Sequence, residues 1–258
     1  MNTGIKEYDK LFYPFTKTLV NKFDELNREK LKLKEEAYSK NKMEELDLKP
    51  SSYNKVFKDG FSINSLKALH KFILGGVYSW AGTFKQVSLF KNQDILGGAS
   101  VQYCPPEYLE DNINDVLWKM NNTKWDSLSN DDKILKFADQ FQYLWQCHPF
   151  NEGNTRTTSK FMEAFAKEKN IPVDFNKLFH NPTDLRNGFV LYSTGEPDCK
   201  KAVFKYFRDS ATYSDIESPS LDVPDRYYEK MIGSMFDKQK EERVIKINNS
   251  NNEEMEMD

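Results

Sequence analysis

A chain of 258 residues that is 38% hydrophobic and 14% aromatic, with 19 Phe and 13 Tyr, carries enough apolar surface for one sizeable core, which argues against wholesale disorder. Its 37 basic and 40 acidic side chains leave a net charge of -3, which speaks against general nucleic-acid binding. No stretch approaches the roughly 18 apolar residues of a membrane span. The opening MNTGIKEYDKLFYPF lacks the basic-then-apolar order of a Sec signal. The sequence therefore predicts a cytoplasmic protein without a membrane anchor, with export by a specialised secretion system left open. Cys104, Cys147 and Cys199 form no Cys-x-x-Cys pair, and an odd count suits a reducing compartment. Cys147 precedes His148 and invites a Cys-His nucleophile reading. Sequence neighbours on a helix do not face each other, so the thiol is read as buried and structural.

In chain order, residues 8–47 read as a charged, solvated outer helix with a thin apolar stripe of Phe23, Leu26 and Leu31. Residues 62–75 read as a better helix. Ser62 or Asn64 caps it, Leu66, Leu69 and Ile73 share a face, and Gly75-Gly76 stop it. His70 within it is read as a partly buried structural residue. Residues 83–103 lean to β structure and are read as a hairpin with a long connection. Pro105-Pro106 open a helix with Leu109, Ile113 and Leu117 spaced by four.

Ser129 caps the next helix, in which Ile134, Phe137, Ala138, Phe141, Leu144 and Trp145 follow i, i+3, i+4, i+7, i+10, i+11. This is the expected central core helix. His148 falls at its C-terminal end, where Pro149 stops it. A helix from near Thr155 turns Phe161 and Phe165 inward. Two further helices are expected around 183–193 and 197–211, then one over 225–243 and a polar acidic tail. The organisation expected is a helical extension over 1–59, a core over 60–212, and a C-terminal helix and tail over 213–258.

The loop HPFNEGNTRT between two helices concentrates chemistry. A helix start leaves backbone N–H groups unpaired and, with the helix dipole, attracts phosphate. Gly153 lets a ligand approach the backbone, Asn154 can donate an amide hydrogen bond, and Arg156 can grip phosphate oxygens in a fork. Glu152 would repel a bare phosphate, a conflict that a Mg²⁺ ion between carboxylate and phosphates removes. His148 has the basicity to take a proton near neutrality. The alternative is a plain helix connector whose polar groups only satisfy the loop.

Residues 148–159 closely resemble the Fic family motif, His-x-Phe-x-Asp/Glu-Gly-Asn-Gly-Arg-x-x-Arg, through His148, Phe150, Glu152, Gly153, Asn154 and Arg156. The segment GGVYSWAG (75–82), the hairpin region after it and PPEYLEDNI also resemble the family, so the likeness covers about 60–212. It implies an all-α Fic fold with a small β-hairpin flap. It also implies a protein adenylyltransferase that moves AMP from ATP to a Ser, Thr or Tyr hydroxyl of a target protein. By that resemblance His148 is the general base and Glu152 holds Mg²⁺. Glu152, Gly153, Asn154, Thr155, Arg156 and Thr157 bind the nucleotide. The flap Phe84, Lys85, Gln86, Val87, Ser88, Leu89 and Phe90 docks an extended target segment by strand addition.

Two departures stand out. Thr155 replaces a glycine, which helical or capping geometry would tolerate. Ser159 replaces the second arginine, and Lys160 lies about 100° round the helix from it. The altered site leaves room for another nucleotidyl or phosphoryl transfer, or for a catalytically weak regulator that acts by binding. Many Fic proteins carry an inhibitory Ser/Thr-x-x-x-Glu-Gly/Asn helix whose Glu pairs with that second arginine. Thr3–Glu7 is followed by Tyr8 and Ser250–Glu254 by Met255, so neither completes the pattern. An inhibitory helix within the chain is therefore not expected, and the resemblance leaves open a toxin controlled by a separate small antitoxin-like partner.

Overall fold

The computed structural model describes residues 9–89, 91–101 and 103–212, and within them the fold is all-α. We number the helices α1 (Arg28–Leu48), α2 (Pro50–Val56), α3 (Ile63–Leu74), α4 (Leu109–Asn122), α5 (Asn130–Cys147), α6 (Asn154–Glu168), α7 (Phe175–Leu178), α8 (Pro182–Tyr192) and α9 (Pro197–Asp209). α5 is the hub, packed against α4, α6, α8 and α9. Ser129 caps it by accepting the Asp132 N–H, and all six residues of its predicted stripe are fully buried. Phe141 sits among Phe137, Phe189 and Phe207, with ring centroids 5.9, 5.0 and 5.9 Å away. On the other side of the hub, Phe161 and Phe165 of α6 meet Phe61 edge-on at 5.3 and 5.0 Å. The α5–α6 pair is thus fixed by rings on both flanks, and the loop between them inherits that rigidity.

Two sequence expectations change. Residues 9–27 are not helical apart from the start of the described segment, and α1 begins only at Arg28, after Asn27 caps it through the Lys30 N–H. Phe15 and Asp24 adopt positive φ, and the Asn21 side chain bonds the backbone of Leu19, Phe23 and Glu25, which fixes a turn in place of a helix. Phe23 and Leu26 stay largely exposed. The buried face of α1 is instead Leu31, Glu35, Ser39 and Leu46, turned toward α3.

The predicted hairpin reduces to one antiparallel bridge, Asn92–Ser100, around a 3-10 turn at Asp94–Leu96. Residues 84–89 do not pair with 99–101, because their inner side has another partner. The Lys85 N–H donates to the Pro149 carbonyl at 2.8 Å, and Phe84, Lys85 and Leu89 are buried. Gln86 and Ser88 face solvent, and among the described residues no backbone hydrogen bond ties 86–89 to another segment. Phe90 and everything from 213 onward, including the expected helix 225–243, lie outside the described residues.

Replacing Phe141 with Ala removes a ring from the centre of the hub and should destabilise the protein by about 3–5 kcal/mol, read as a lower midpoint in urea unfolding.

Candidate functional site

α5 ends with His148 as its cap in the left-handed region, φ 47°, with its N–H on the Trp145 carbonyl. Glycine usually fills such a position, and a branched side chain there costs about 1 kcal/mol or more. The imidazole is 4% exposed, stacks on Tyr103 at 4.0 Å, and has neither ring nitrogen hydrogen-bonded among the described residues. Burial first, then Lys91, Lys85 and Arg186, push its pKa well below the ordinary histidine value. It is therefore neutral at physiological pH, the state a proton acceptor needs.

The loop after it is tied down by buried polar bonds. Asn154 accepts the Phe150 N–H at 2.8 Å and returns its amide to the Phe150 carbonyl at 2.7 Å, a reciprocal staple across the turn. Gly153 takes φ 75° as the cap of α6. A Cβ there would stand 2.2 Å from Leu74 Cδ1, so both backbone and space require glycine. His70 of α3 accepts the Gly82 N–H on Nδ1 at 2.8 Å, which leaves Nε2–H to donate to the Glu152 carbonyl at 3.0 Å. Its ring lies flat on Phe150, centroids 3.7 Å apart. His70 is thus structural, as expected, and its specific task is to hold the backbone of the loop's acid.

The Glu152 carboxylate accepts the Gly153 N–H at 3.0 Å and lies 3.8 Å from Lys91 Nζ. Burial raises its pKa, but Lys91, that N–H, Arg156 and Arg28 outweigh burial and the net shift is downward, so it is an anion at neutral pH. One ionised, partly exposed carboxylate beside a helix start fits the way magnesium is bound, through a single acid with phosphates completing the shell. Among the described residues no cluster of three or more His, Cys, Asp or Glu could cage a metal without such help.

His148, Glu152, Gly153, Asn154, Thr155 and Arg156 converge on one notch of about 130 Å³. Lys91, Tyr103 and Arg186 complete its walls. A second cavity of about 600 Å³ adjoins it across Lys91, Glu152 and Arg156, and α1 forms its far side. Thr157 does not reach the notch. Its N–H is spent on the Gly153 carbonyl within the helix and its side chain is fully buried. Thr155 is the second residue of α6, where no special backbone angle is needed, and its hydroxyl accepts the Trp145 indole N–H at 3.0 Å. Lys160 turns away to Asp47 and Glu163, at 2.6 and 3.0 Å, so it does not replace the arginine absent at Ser159.

Arg156 is engaged from outside the loop. Glu35 of α1 forms an ion pair with it, Ser39 accepts its Nη1–H at 2.8 Å, and the Tyr78 hydroxyl donates to the same Glu35. Glu35 and Ser39 stand in reverse order to the inhibitory pattern, so the pattern does not reveal this acid. The available signal was their spacing: Leu31, Glu35 and Ser39 fall at i, i+4, i+8, a buried stripe that continues through polar residues. Cys147 is buried, and desolvation pushes its thiol up to about 12, so it is no nucleophile at neutral pH.

Residues 60–166 match the model of the Fic/DOC family. This segment is a Fic domain. Across 118 residues the chain is 25% identical to the protein adenylyltransferase VbhT of Bartonella schoenbuchensis, a match that covers 46% of this chain and 23% of that protein. Over 116 residues it is 27% identical to the probable protein adenylyltransferase y4lH of Sinorhizobium fredii, covering 43% and 56%. The chain thus matches less than two thirds of the length of either relative. Among solved structures, the N-terminal Fic domain of a VirB-translocated effector from a Bartonella species superposes with a TM-score of 0.62 at 21% identity, covering 78% of this chain and 91% of that one. The BepC protein of Bartonella tribocorum, solved with bound AMPPNP, gives 0.61 at 20% identity, covering 76% and 95%. At such identities the structures establish the fold.

Burial lowers the His70 pKa from 6.5 to about 4. A depressed histidine stabilises the fold fully above its unfolded value and loses that contribution as pH falls through the window from 6.5 to about 4. The Fic domain should therefore lose about 3 kcal/mol across that window through His70 alone. Urea unfolding at pH 7.5 and 4.5 should show a smaller loss for His70→Gln than for the wild type.

Proposed function

We propose that the protein is an adenylyltransferase that moves AMP from ATP onto a hydroxyl of a target protein. The observation that carries this reading is the convergence of a neutral, buried, unpartnered imidazole, an ionised carboxylate and a guanidinium on one notch at the start of α6. The triphosphate would lie with its α-phosphoryl group at the unpaired N–H groups of that helix start. The target's hydroxyl oxygen attacks α-phosphorus, the bond to the bridging oxygen of the β-phosphate breaks, and pyrophosphate leaves. The hydroxyl proton passes to the His148 ring, which is already neutral and gives up no hydrogen bond to receive it. Mg²⁺ held by Glu152 would offset phosphate charge when bound. Names of the relatives support the same chemistry at the level of the family.

Segment 84–89 would position the target. Its buried Phe84, Lys85 and Leu89 anchor it, and the backbone of 86–89, with outward Gln86 and Ser88, offers an edge to an extended peptide. Such contacts are mostly main-chain, so they set the distance of the hydroxyl from His148 more than the identity of the target. A phosphoryl transfer from a reversed nucleotide remains the second reading, because Ser159 removes one anchor for the terminal phosphates.

Glu35 bears on this chemistry directly. While it pairs with Arg156, that guanidinium is not available to a phosphate, and an incoming triphosphate must displace a carboxylate held also by Tyr78. α1 thus acts as a built-in competitor at the phosphate end.

Incubation with labelled ATP, Mg²⁺ and a host lysate should transfer label to a protein band, and intact mass should report an added AMP rather than a phosphate. His148→Ala should lower that transfer by about 10²- to 10⁴-fold; equal labelling by the variant would remove the imidazole from the mechanism. Glu35→Ala should tighten ATP binding several-fold in calorimetry, whereas weaker binding would mean that Glu35 orders Arg156 for the nucleotide instead of competing for it.

A further inference from the structure

The notch holds a second guanidinium that the loop motif does not encode. Arg186 stands on α8, thirty residues beyond Arg156, yet it lines the same 130 Å³ notch as His148, Asn154 and Arg156. Its placement is built. The Nη2–H donates to Gln93 Oε1 at 2.6 Å, and Gln93 is 2% exposed. The amide of Gln93 donates in turn to the Lys91 carbonyl at 3.1 Å and the Tyr103 hydroxyl at 3.3 Å, while its main chain receives the Leu96 and Gly98 N–H groups of the turn. Tyr103 stacks on His148. One buried amide therefore fixes the guanidinium, the turn and the ring that backs the imidazole.

No carboxylate neutralises this cation: Arg186 has no acidic partner within ion-pair distance among the described residues, whereas Arg208 on the next helix pairs with Asp131. Lys91, the other cation on the wall, is shared with Glu152 at 3.8 Å, and Arg156 is held by Glu35. A fork with its anchor satisfied by a neutral amide and its charge unspent, facing a buried imidazole without a partner, is suited to an oxyanion.

We infer that Arg186 binds the phosphoryl group under attack, adding from α8 a second guanidinium to the Arg156 of α6. The inference rests on the adenylyltransferase reading. It assigns Arg186 to the reacting phosphoryl group, because the notch it lines is the one that contains His148, whereas the larger cavity toward α1 receives the rest of the nucleotide. A planar donor set in advance by Gln93 would meet the charge that grows on the equatorial oxygens as the hydroxyl attacks.

The test compares wild type, Arg186→Met and Arg186→Lys for Mg-ATP affinity by calorimetry and for transfer of labelled AMP. Arg186→Met should lower kcat about a hundredfold or more with a much smaller change in KM, and Arg186→Lys should recover only part, since it restores charge without the fork. A thermal midpoint close to wild type for the lysine variant separates this from unfolding. Without nucleotide, the NMR titration of the His148 ring should move upward in Arg186→Met, as one of the cations that depress it is removed. Transfer by Arg186→Met within twofold of wild type would overturn the assignment and leave the transferase reading standing. A wild type that neither binds ATP nor transfers label would sink the transferase reading, and this assignment with it.

Discussion

The site depends on a hydrogen bond behind the loop: the one that His70 donates to the Glu152 carbonyl. A loop between two helices carries several polar groups that must be paired once the chain packs around them. Here the pairing is done by buried side chains. His70 holds the acid's backbone from α3, Asn154 staples both ends of the turn, and Phe150 is clamped between His70 and Phe84. With the loop over-determined in this way, His148 can keep a left-handed backbone and an unpartnered ring. The strain at His148 is offset by this packing and hydrogen bonding around the loop.

The hub helix was legible because its stripe, Ile134 to Trp145, repeats at the helical period with nothing but apolar side chains, and burial follows such a pattern directly. The loop was legible because its residue types are compact in sequence. What could not be read was anything contributed from a distance. Glu35, Lys91 and Arg186 reach the site from three separate segments, and each looks like a surface charge in its own neighbourhood. The hairpin expected over 83–103 is reduced to one bridge for a different reason. Residues 84–89 have the alternation of a strand, but alternation reports a buried side and not which partner buries it, and here the partner is the histidine loop at Pro149. Charge density ahead of α1 resembles helix propensity, whereas Asn21 and Asn27 decide locally where helix can begin.

Electrostatics divide the site into two ends. Toward α8 the notch has cations and a neutral base. Toward α1 it has a guanidinium already paired with an acid. On the proposed reading a nucleotide would meet an unspent charge at one end and a contested one at the other, and α1, which composition alone marks as a solvated outer helix, would take part in the binding equilibrium.

The hydrogen bond between Trp145 and Thr155 gives the departure from the family pattern a second meaning. The threonine hydroxyl accepts an indole N–H that is otherwise enclosed by the hub, so returning this position to glycine would orphan a donor and add a flexible residue to the first turn of α6. Repairing the motif on paper would thus damage the protein that carries it. The two residues form a lock across the helix–loop–helix, and either is intelligible only together with the other.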